Sequence, residues 1–551
     1  MKKNWVFRDF NTQVYNYLIK EVKIDSIKAR ILASRNKDFK GLSRYLNSSF
    51  ENLHSPLNLP DIEKSVERIL RAIERKEKIL LFTDYDTDGV CSVCILKETL
   101  LKLGSDPQVF IPNRFTQGYG LGSYIIDYIK SNKITLLITS DCGTSDIEVI
   151  EHLKKIGTDT IVIDHHFVNS FPHPAFGFIN PKRPDSYYPF KELVSAALVF
   201  KLSQLILNRF PYEFLDLVVL ATICDCAPLI DENRIFIKEG LRFLRATQRP
   251  GLKVLMNLAR LNPEKVNIFH IGFVIGPRIN APGRLDTATL SLELLSSNSL
   301  SSCEKLAEKL EALNSQRQKI QKQVLEEAFF IIEKDIDFRE DLVLVLWKED
   351  WHLGVLGIVA SKIKEEFFRP CILLSLDERK AKGSGRSIER FDITSALNDC
   401  KEFLYEYGGH KLACGLSVKR EYLTDFKKKI NQIAKAKLSF EDLVPTIFID
   451  AQITFEEINN ELIEFIKLLG PFGEGNPEPV FLVKNVYPKT SLTDKKVYFT
   501  DGKFTFCCLK ESEFDQEYFN RFNKFDICFS LSKADDDIML NLKDIKPSYT
   551  F

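Results

Sequence analysis

Three short apolar runs each end in acids or histidine, and they recur with helical patterns between them. The first is Ile79-Leu80-Leu81-Phe82, followed by Thr83-Asp84-Tyr85-Asp86-Thr87-Asp88-Gly89. A short apolar run closed by polar residues reads as a buried parallel strand. Gly89 then opens a helical pattern through Val90, Val93, Cys94, Leu96, Leu100 and Leu101. A further strand is expected at 109–112. Two more, at 134–139 and 160–163, end in Ser140-Asp141-Cys142-Gly143 and Asp164-His165-His166. Strands alternating with helices imply a parallel sheet covered on both faces. Parallel strands place their carboxyl ends on one edge, where ligands of open α/β sheets collect. Asp86, Asp88, Asp141, Asp164, His165 and His166 are therefore expected at a common rim. Carboxylates gathered there repel one another unless a cation lies between them. Taken alone, the first Asp string also suits a helix cap, and Asp225, ending the apolar run 217–224, suits a cap or a buried polar residue.

At 551 residues the chain is too long for one core. Boundaries are expected as follows: a helical lead-in at 1–55, an α/β domain at 56–300, a connecting helix at 301–336, a smaller α/β domain at 337–444, and a β domain at 445–551. Over 302–334, apolar residues at spacings of three, four and seven predict a helix of roughly 50 Å. In the second α/β unit, strands are expected at 342–346 and 372–376, and helices at 355–367 and 393–407. Pro277-Arg278-Ile279-Asn280-Ala281-Pro282-Gly283-Arg284 reads as a turn carrying two arginines, and Pro471-Phe472-Gly473-Glu474-Gly475-Asn476-Pro477 as a sharp loop. Short aromatic-rich strands beyond 445 suit a small β-barrel.

The formal net charge is +0, so a polyanion partner would need local basic grooves. Twelve scattered cysteines lack a zinc spacing and read as core thiols of a reduced, cytoplasmic protein. No apolar run approaches the roughly 20 residues of a membrane span, and the N-terminus lacks the apolar stretch of a signal peptide.

These motifs resemble, in order and spacing, the DHH phosphoesterase superfamily. Gly383-Ser384-Gly385-Arg386-Ser387 and Gly408-Gly409-His410-Lys411-Leu412-Ala413-Cys414-Gly415 resemble its DHH-associated domain. The segments 277–284, 351–355 and 471–477, with the terminal β domain, resemble the branch of single-strand-specific 5′→3′ DNA exonucleases. The resemblance implies a DHH parallel-sheet domain joined by a long helix to a DHH-associated domain, plus an OB-fold barrel. It implies hydrolysis of single-stranded DNA to 5′-mononucleotides in repair and recombination. It also implies a monomer, with a single-strand-binding protein and a helicase as partners. Departures fall at Ser195-Ala196-Ala197, where the family has a glycine-richer helix start, at Cys414, and at Cys224 and Cys226 around Asp225.

Phosphodiester hydrolysis suits two Mg²⁺ or Mn²⁺ ions about 3.5–4 Å apart, which offset phosphate charge and acidify a water. Asp86, Asp88, Asp141, Asp225 and His165 supply hard oxygens and one imidazole. Asp141 is the candidate bridge, and Asp84 is a ligand or a support to one. Asp164 orients the site or simply ends its strand. His166 is the candidate for contacting the scissile phosphate or protonating the leaving oxygen. For the terminal phosphate and backbone, the positions that resemble the family's are Arg114, Arg278 or Arg284, and Ser384 with Arg386; His410, Asn280 and His352 are further candidates for contacting the substrate. Arginine forks bind phosphate bidentately. A cleft too narrow for duplex, with stacking on aromatics, would give single-strand preference. Two other functions are a DHH phosphodiesterase for short oligoribonucleotides or cyclic dinucleotides, and a non-catalytic replication scaffold. The hundred residues beyond Val444 argue against the first, and the intact acids against the second.

Overall fold

The computed structural model describes residues 3–35, 38–493, 496–510, 521–534 and 537–548. The chain forms two compact units, one holding 5–310 with the C-terminal segment from Ile447, the other Glu311–Thr446.

In the larger unit, strand β1 (Ile79–Thr83) leads through helix α1 (Thr87–Lys102) to β2 (Gln108–Phe110). Strands β3 (Leu136–Ser140), β4 (Asp159–Ile163) and β5 (Gly177–Ile179) follow. All five are parallel, in the order β2-β1-β3-β4-β5. Alternation sends side chains of β1 to opposite faces. Ile79 and Leu81 join a core built with α1, α2 (Ser195–Ile206) and α3 (Leu215–Cys224). Leu80 and Phe82 pack with Ile125, Ile129, Ile150 and Leu153 on the other side. After β2 the chain crosses back over β1 to form β3, which makes the β1/β3 edge a topological switch point, where such sheets bind ligands.

Residues 277–284 are not a turn: helix α4 spans Gly276–Leu285. Pro277 follows a π turn at Ile271–Ile275 that interrupts the regular helical bonding, and the helix ends three residues past Pro282. Helix α5 (Leu300–Asp335) is the expected long helix; Cys303, Ala307 and Leu310 enter the larger unit's core.

The second unit carries β6 (Leu344–Glu349), β7 (Cys371–Leu376), β8 (Lys380–Arg386), β9 (Leu404–His410) and β10 (Ala413–Lys419), in the order β9-β10-β8-β7-β6. The helix expected at 393–407 stops at Asn398. Residues 404–410 instead pair antiparallel with 413–418. Gly409, at φ +142°, lets the backbones close up where a Cβ would lie 2.2 Å from the Ala413 carbonyl.

The terminal β domain is a barrel of β11 (Phe481–Thr493), β12 (Lys496–Thr500), β13 (Thr505–Lys510), β14 (Phe525–Ala534) and β15 (Asp537–Pro547). It closes by β11–β14 pairing, and β13 runs parallel to β15, the strand order of an OB fold. The N-terminal helices share this barrel's core, with Val14, Leu18, Ile31 and Leu32 packed among Ile463, Ile466, Phe481 and Phe525. Among the described residues no helix is long and apolar enough to cross a membrane.

Candidate active site

Each acid of the rim is aimed by backbone. Asp86 caps α1, accepting the N–H groups of Asp88 (2.9 Å) and Gly89 (3.1 Å). Gly89 is required there, since a Cβ would meet the Asp84 carbonyl at 2.4 Å. Asp88 points across to the N-terminus of α2, where Ser195 and Ala196 donate their N–H groups to its two oxygens, both at 2.8 Å. The departure at Ser195-Ala196 thus keeps the backbone clamp, and the Ser195 hydroxyl adds a 3.3 Å bond to Asp141. Asp141 sits at φ +61°, a left-handed conformation that Asp tolerates better than most residues, and its N–H donates to the Ile163 carbonyl. Asp225 follows the last residue of α3.

Three strands and two helices thereby bring the predicted groups together. Ligand atoms of Asp84, Asp86 and Asp141 lie within 4.8 Å of one another, as do those of Asp88, His165 and Asp225. Asp141 belongs to the first group and reaches the second through His165 Nε2, 3.3 Å from its Oδ1. The same Nε2 is 3.7 Å from Asp88 and 3.9 Å from Asp225.

Burial pushes the Asp88 carboxyl up to about 7, with repulsion from Asp86 adding to it. Burial, then repulsion from Asp88 and Asp86, lifts Asp225 to about 7 against the pull of His165. Asp84 and Asp141 are also pushed up, by burial and by their acidic neighbours. Asp84 Oδ1 and His165 Nε2 are buried without a hydrogen-bond partner among the described residues. Oxygen-rich donors, mutual repulsion and two orphaned atoms fit divalent cations of the Mg²⁺ or Mn²⁺ kind.

Asp164 is held differently. Burial alone would raise it, but the charge and hydrogen bond of His166 hold it well below the usual carboxylate range. It accepts from the N–H groups of His165 (2.8 Å), His166 (3.2 Å) and Thr144 (3.1 Å), and lies 2.7 Å from His166 Nδ1. Burial opposes protonation of His166, yet Asp164 outweighs it and carries the imidazole up to about 9.

Several positioning groups escape the sequence reading. The Tyr119 hydroxyl donates to the Asp141 carbonyl (3.1 Å) and lies 3.3 Å from His166 Nδ1. Asn180 donates to the His166 carbonyl (2.9 Å). Tyr119 stands between Gly118 and Gly120, both at positive φ, and that glycine pairing is the one signal that marks it.

The predicted phosphate-binding residues divide by unit. The Arg114 guanidinium lies over the Tyr85 ring, 4.2 Å from its centroid, beside the Asp loop. Asn280 on α4 accepts from the Thr87 hydroxyl at 2.9 Å, and a Cβ on Gly283 would meet the Tyr85 carbonyl at 2.4 Å, so α4 walls the Asp loop. Arg278 and Arg284 lie on the same helix, with Arg278 donating to the Val274 carbonyl. In the second unit Ser384 and Arg386 share one face of β8, packed toward Gly357. Ala413 pairs with both Arg386 and His410, so those two lie in one cross-strand row. His352 caps the helix Leu353–Phe367, accepting the Gly354 N–H. Gly383 and Gly385 flank Ser384 within β8.

Fold and acid cluster together define a DHH-type phosphoesterase. Residues 78–222 match the DHH family N-terminal domain, 340–436 the DHHA1 domain and 449–535 the RecJ OB domain. The chain belongs to the RecJ family. It is 34% identical to the single-stranded-DNA-specific exonuclease RecJ of Haemophilus influenzae over 80% of each chain. It is 35% identical to that of Bacillus subtilis over 88% of this chain, which spans 62% of that relative's length. Thermus thermophilus RecJ with Mn²⁺ superposes with a TM-score of 0.84 at 25% identity, covering 99% of this chain and 80% of that one. An exonuclease RecJ bound to manganese gives 0.61 at 29%, covering 71% and 100%.

Proposed function

We propose that this chain is a metal-dependent 5′→3′ exonuclease that hydrolyses single-stranded DNA to 5′-mononucleotides, acting in the cytoplasm in repair and recombination. The observation that carries it is the pair of acid groups joined through Asp141 at the switch point of the sheet. Family membership and the OB barrel support a polymer substrate over a dinucleotide. A single-strand-binding protein and a helicase belong to the same reading as partners of a monomeric enzyme.

Asp86, Asp88, Asp141, His165 and Asp225 would hold two divalent cations, with Asp84 beside them. The bound cations would offset phosphate charge and acidify the attacking water. Asp164 keeps a proton on His166 near neutral pH, and that imidazolium contacts the scissile phosphate or protonates the departing 3′ oxygen. Arg114, Arg278, Asn280 and Arg284 bind the terminal phosphate and neighbouring backbone, and Ser384, Arg386, His410 and His352 offer further phosphate contacts.

The test is a time course on long single strands labelled at either end, with Mn²⁺ or with chelator. Mononucleotides released first from the 5′ end, only with metal, are expected. Release from the 3′ end, or cleavage of dinucleotides alone, overturns the reading.

A further inference from the structure

The helical segment 268–285 is continuous, but Ile271–Ile275 within it forms a π turn. Such irregular turns concentrate at functional sites. One face of the segment is buried through Ile271, Ile275 and Ile279. A second face, at spacings of three and four, carries Phe269, Phe273, Pro277, Asn280 and Arg284. Phe269 and Phe273 are 61% and 72% exposed, unusual for two large rings side by side. Their ring centroids lie 5.1 Å apart at 28°, a stacked pair open to solvent.

This segment is also a wall of the metal site. A Cβ on Gly276 would lie 2.4 Å from Cys224 Sγ, next to Asp225, and Gly283 and Asn280 fasten the other end to Tyr85 and Thr87. Seven residues of helix separate Phe273 from Asn280, about 10 Å. The rings therefore begin a surface that runs into the acid rim.

We infer that Phe269 and Phe273 form a base-stacking platform for single-stranded DNA, gripping nucleotides a few steps from the scissile bond. The inference rests on the exonuclease reading and names a subsite of it. Stacking suits a strand whose bases are unpaired and is indifferent to sequence, since every base has a π face. A duplex buries those faces and gains nothing from the rings. An aromatic pair beside a phosphate-binding helix thus favours single strands by chemistry as well as by cleft width.

The experiment compares Phe269→Ala, Phe273→Ala and the double variant with Phe273→Tyr. Substrates are a long 5′-phosphorylated thymidine strand and a 5′-phosphorylated thymidine dinucleotide. Strand binding is also followed by fluorescence anisotropy in chelator. Each lost ring should weaken strand binding and raise its KM about 5- to 150-fold, the equivalent of roughly 1–3 kcal/mol per stacked base. Dinucleotide cleavage should hold, and Phe273→Tyr should retain strand affinity. Unchanged strand affinity in the double variant overturns the platform. So does a parallel loss on the dinucleotide, or a change of mass in light scattering without a change of strand affinity, which would make the rings a contact between copies. If the wild type cleaves neither substrate, the exonuclease reading fails, while the anisotropy still decides the platform.

Discussion

The N–H of Leu229 donates to the carbonyl of Glu474 at 2.7 Å, tying the loop before the OB barrel to the segment that carries Asp225. The loop 471–477 sits on residues 228–230: Cβ atoms on Gly473 and Gly475 would meet Leu229 and Pro228 at 2.8 and 3.1 Å. Buried Asn476 holds it from behind, donating to the Leu469 and Pro471 carbonyls and accepting from Tyr45. A motif that the residues themselves mark only as a sharp turn is thus a strut behind Asp225, a proposed metal ligand.

Gly475 stands at φ +71°, so Gly475→Val combines backbone strain with a clash against Pro228 and Ile230. Strain of this kind costs about 1–3 kcal/mol. The loop should retreat and Asp225 should lose its fixed position, which raises the Mn²⁺ concentration needed for half-maximal activity roughly tenfold. A metal titration of the folded variant checks this; an unchanged midpoint would remove the strut from catalysis.

Asp141→Asn should abolish degradation of single strands while leaving the protein folded. Asn accepts the left-handed backbone at this position, so the fold is not strained as it would be by a larger substitution. The variant should also melt higher than wild type in chelator. Burial and four neighbouring carboxylates oppose the charge on Asp141, and the amide removes that repulsion. Differential scanning fluorimetry in chelator reads the gain, and a lower melting point would contradict the electrostatic account of the rim.

Much of this rim is legible in the sequence because a parallel sheet needs no long-range information to collect its carboxyl ends. Asp86, Asp141 and His165 each end a strand or follow one, and the alternation of strands and helices places them on one edge. Tyr119 is not legible in the same way, since its role depends on a loop path that no periodicity encodes, and Asn180 escapes because the strand it follows, β5, is only three residues long. Residues 277–284 mislead because two prolines and a glycine usually mark a turn, whereas here Pro277 follows a π turn within a continuous helical segment and Gly283 admits the close approach of Tyr85. The hairpin at 404–419 misleads for the opposite reason: Leu404, Tyr405 and Tyr407 suit either element, and pairing with β10 decides. For the N-terminal helices the residues predict only a helical lead-in, and do not say that their apolar faces join the barrel core.

Metal binding should depend on pH through the carboxylates near 7. Asp88 and Asp225 are raised from their unfolded range to about 7, so between about pH 4 and 7 the metal-free folded state binds more protons than the unfolded chain. These groups therefore contribute stability at low pH that is lost as pH rises through 7, and a divalent cation restores it by replacing the protons. Mn²⁺ should raise the melting temperature more at about pH 8 than at about pH 5.5, and the Mn²⁺ requirement for activity should increase as pH falls below about 7. Equal melting shifts at both pH values would show that protons and metal do not compete.

Lys201 gives a prediction about stability that no composition argument would reach. It lies within the apolar run of α2 at 1% side-chain exposure, with its ammonium 2.8 Å from Glu232, which is wholly buried. It also donates to the His54 carbonyl (2.8 Å), while Glu232 accepts from the Tyr188 hydroxyl (2.6 Å) and the His54 N–H (2.9 Å). Burial lowers the Lys201 pKa, and Glu232 opposes that shift. Lys201→Met removes the cation and leaves the carboxylate buried, at a cost of about 3–5 kcal/mol. Lys201→Met with Glu232→Gln should recover most of that loss, because the amide still accepts from Tyr188 and carries no charge. Urea denaturation of the two variants against wild type measures both effects. If the single variant unfolds at the wild-type midpoint, the pair does not couple the 54–58 segment to the catalytic core in the way its geometry implies.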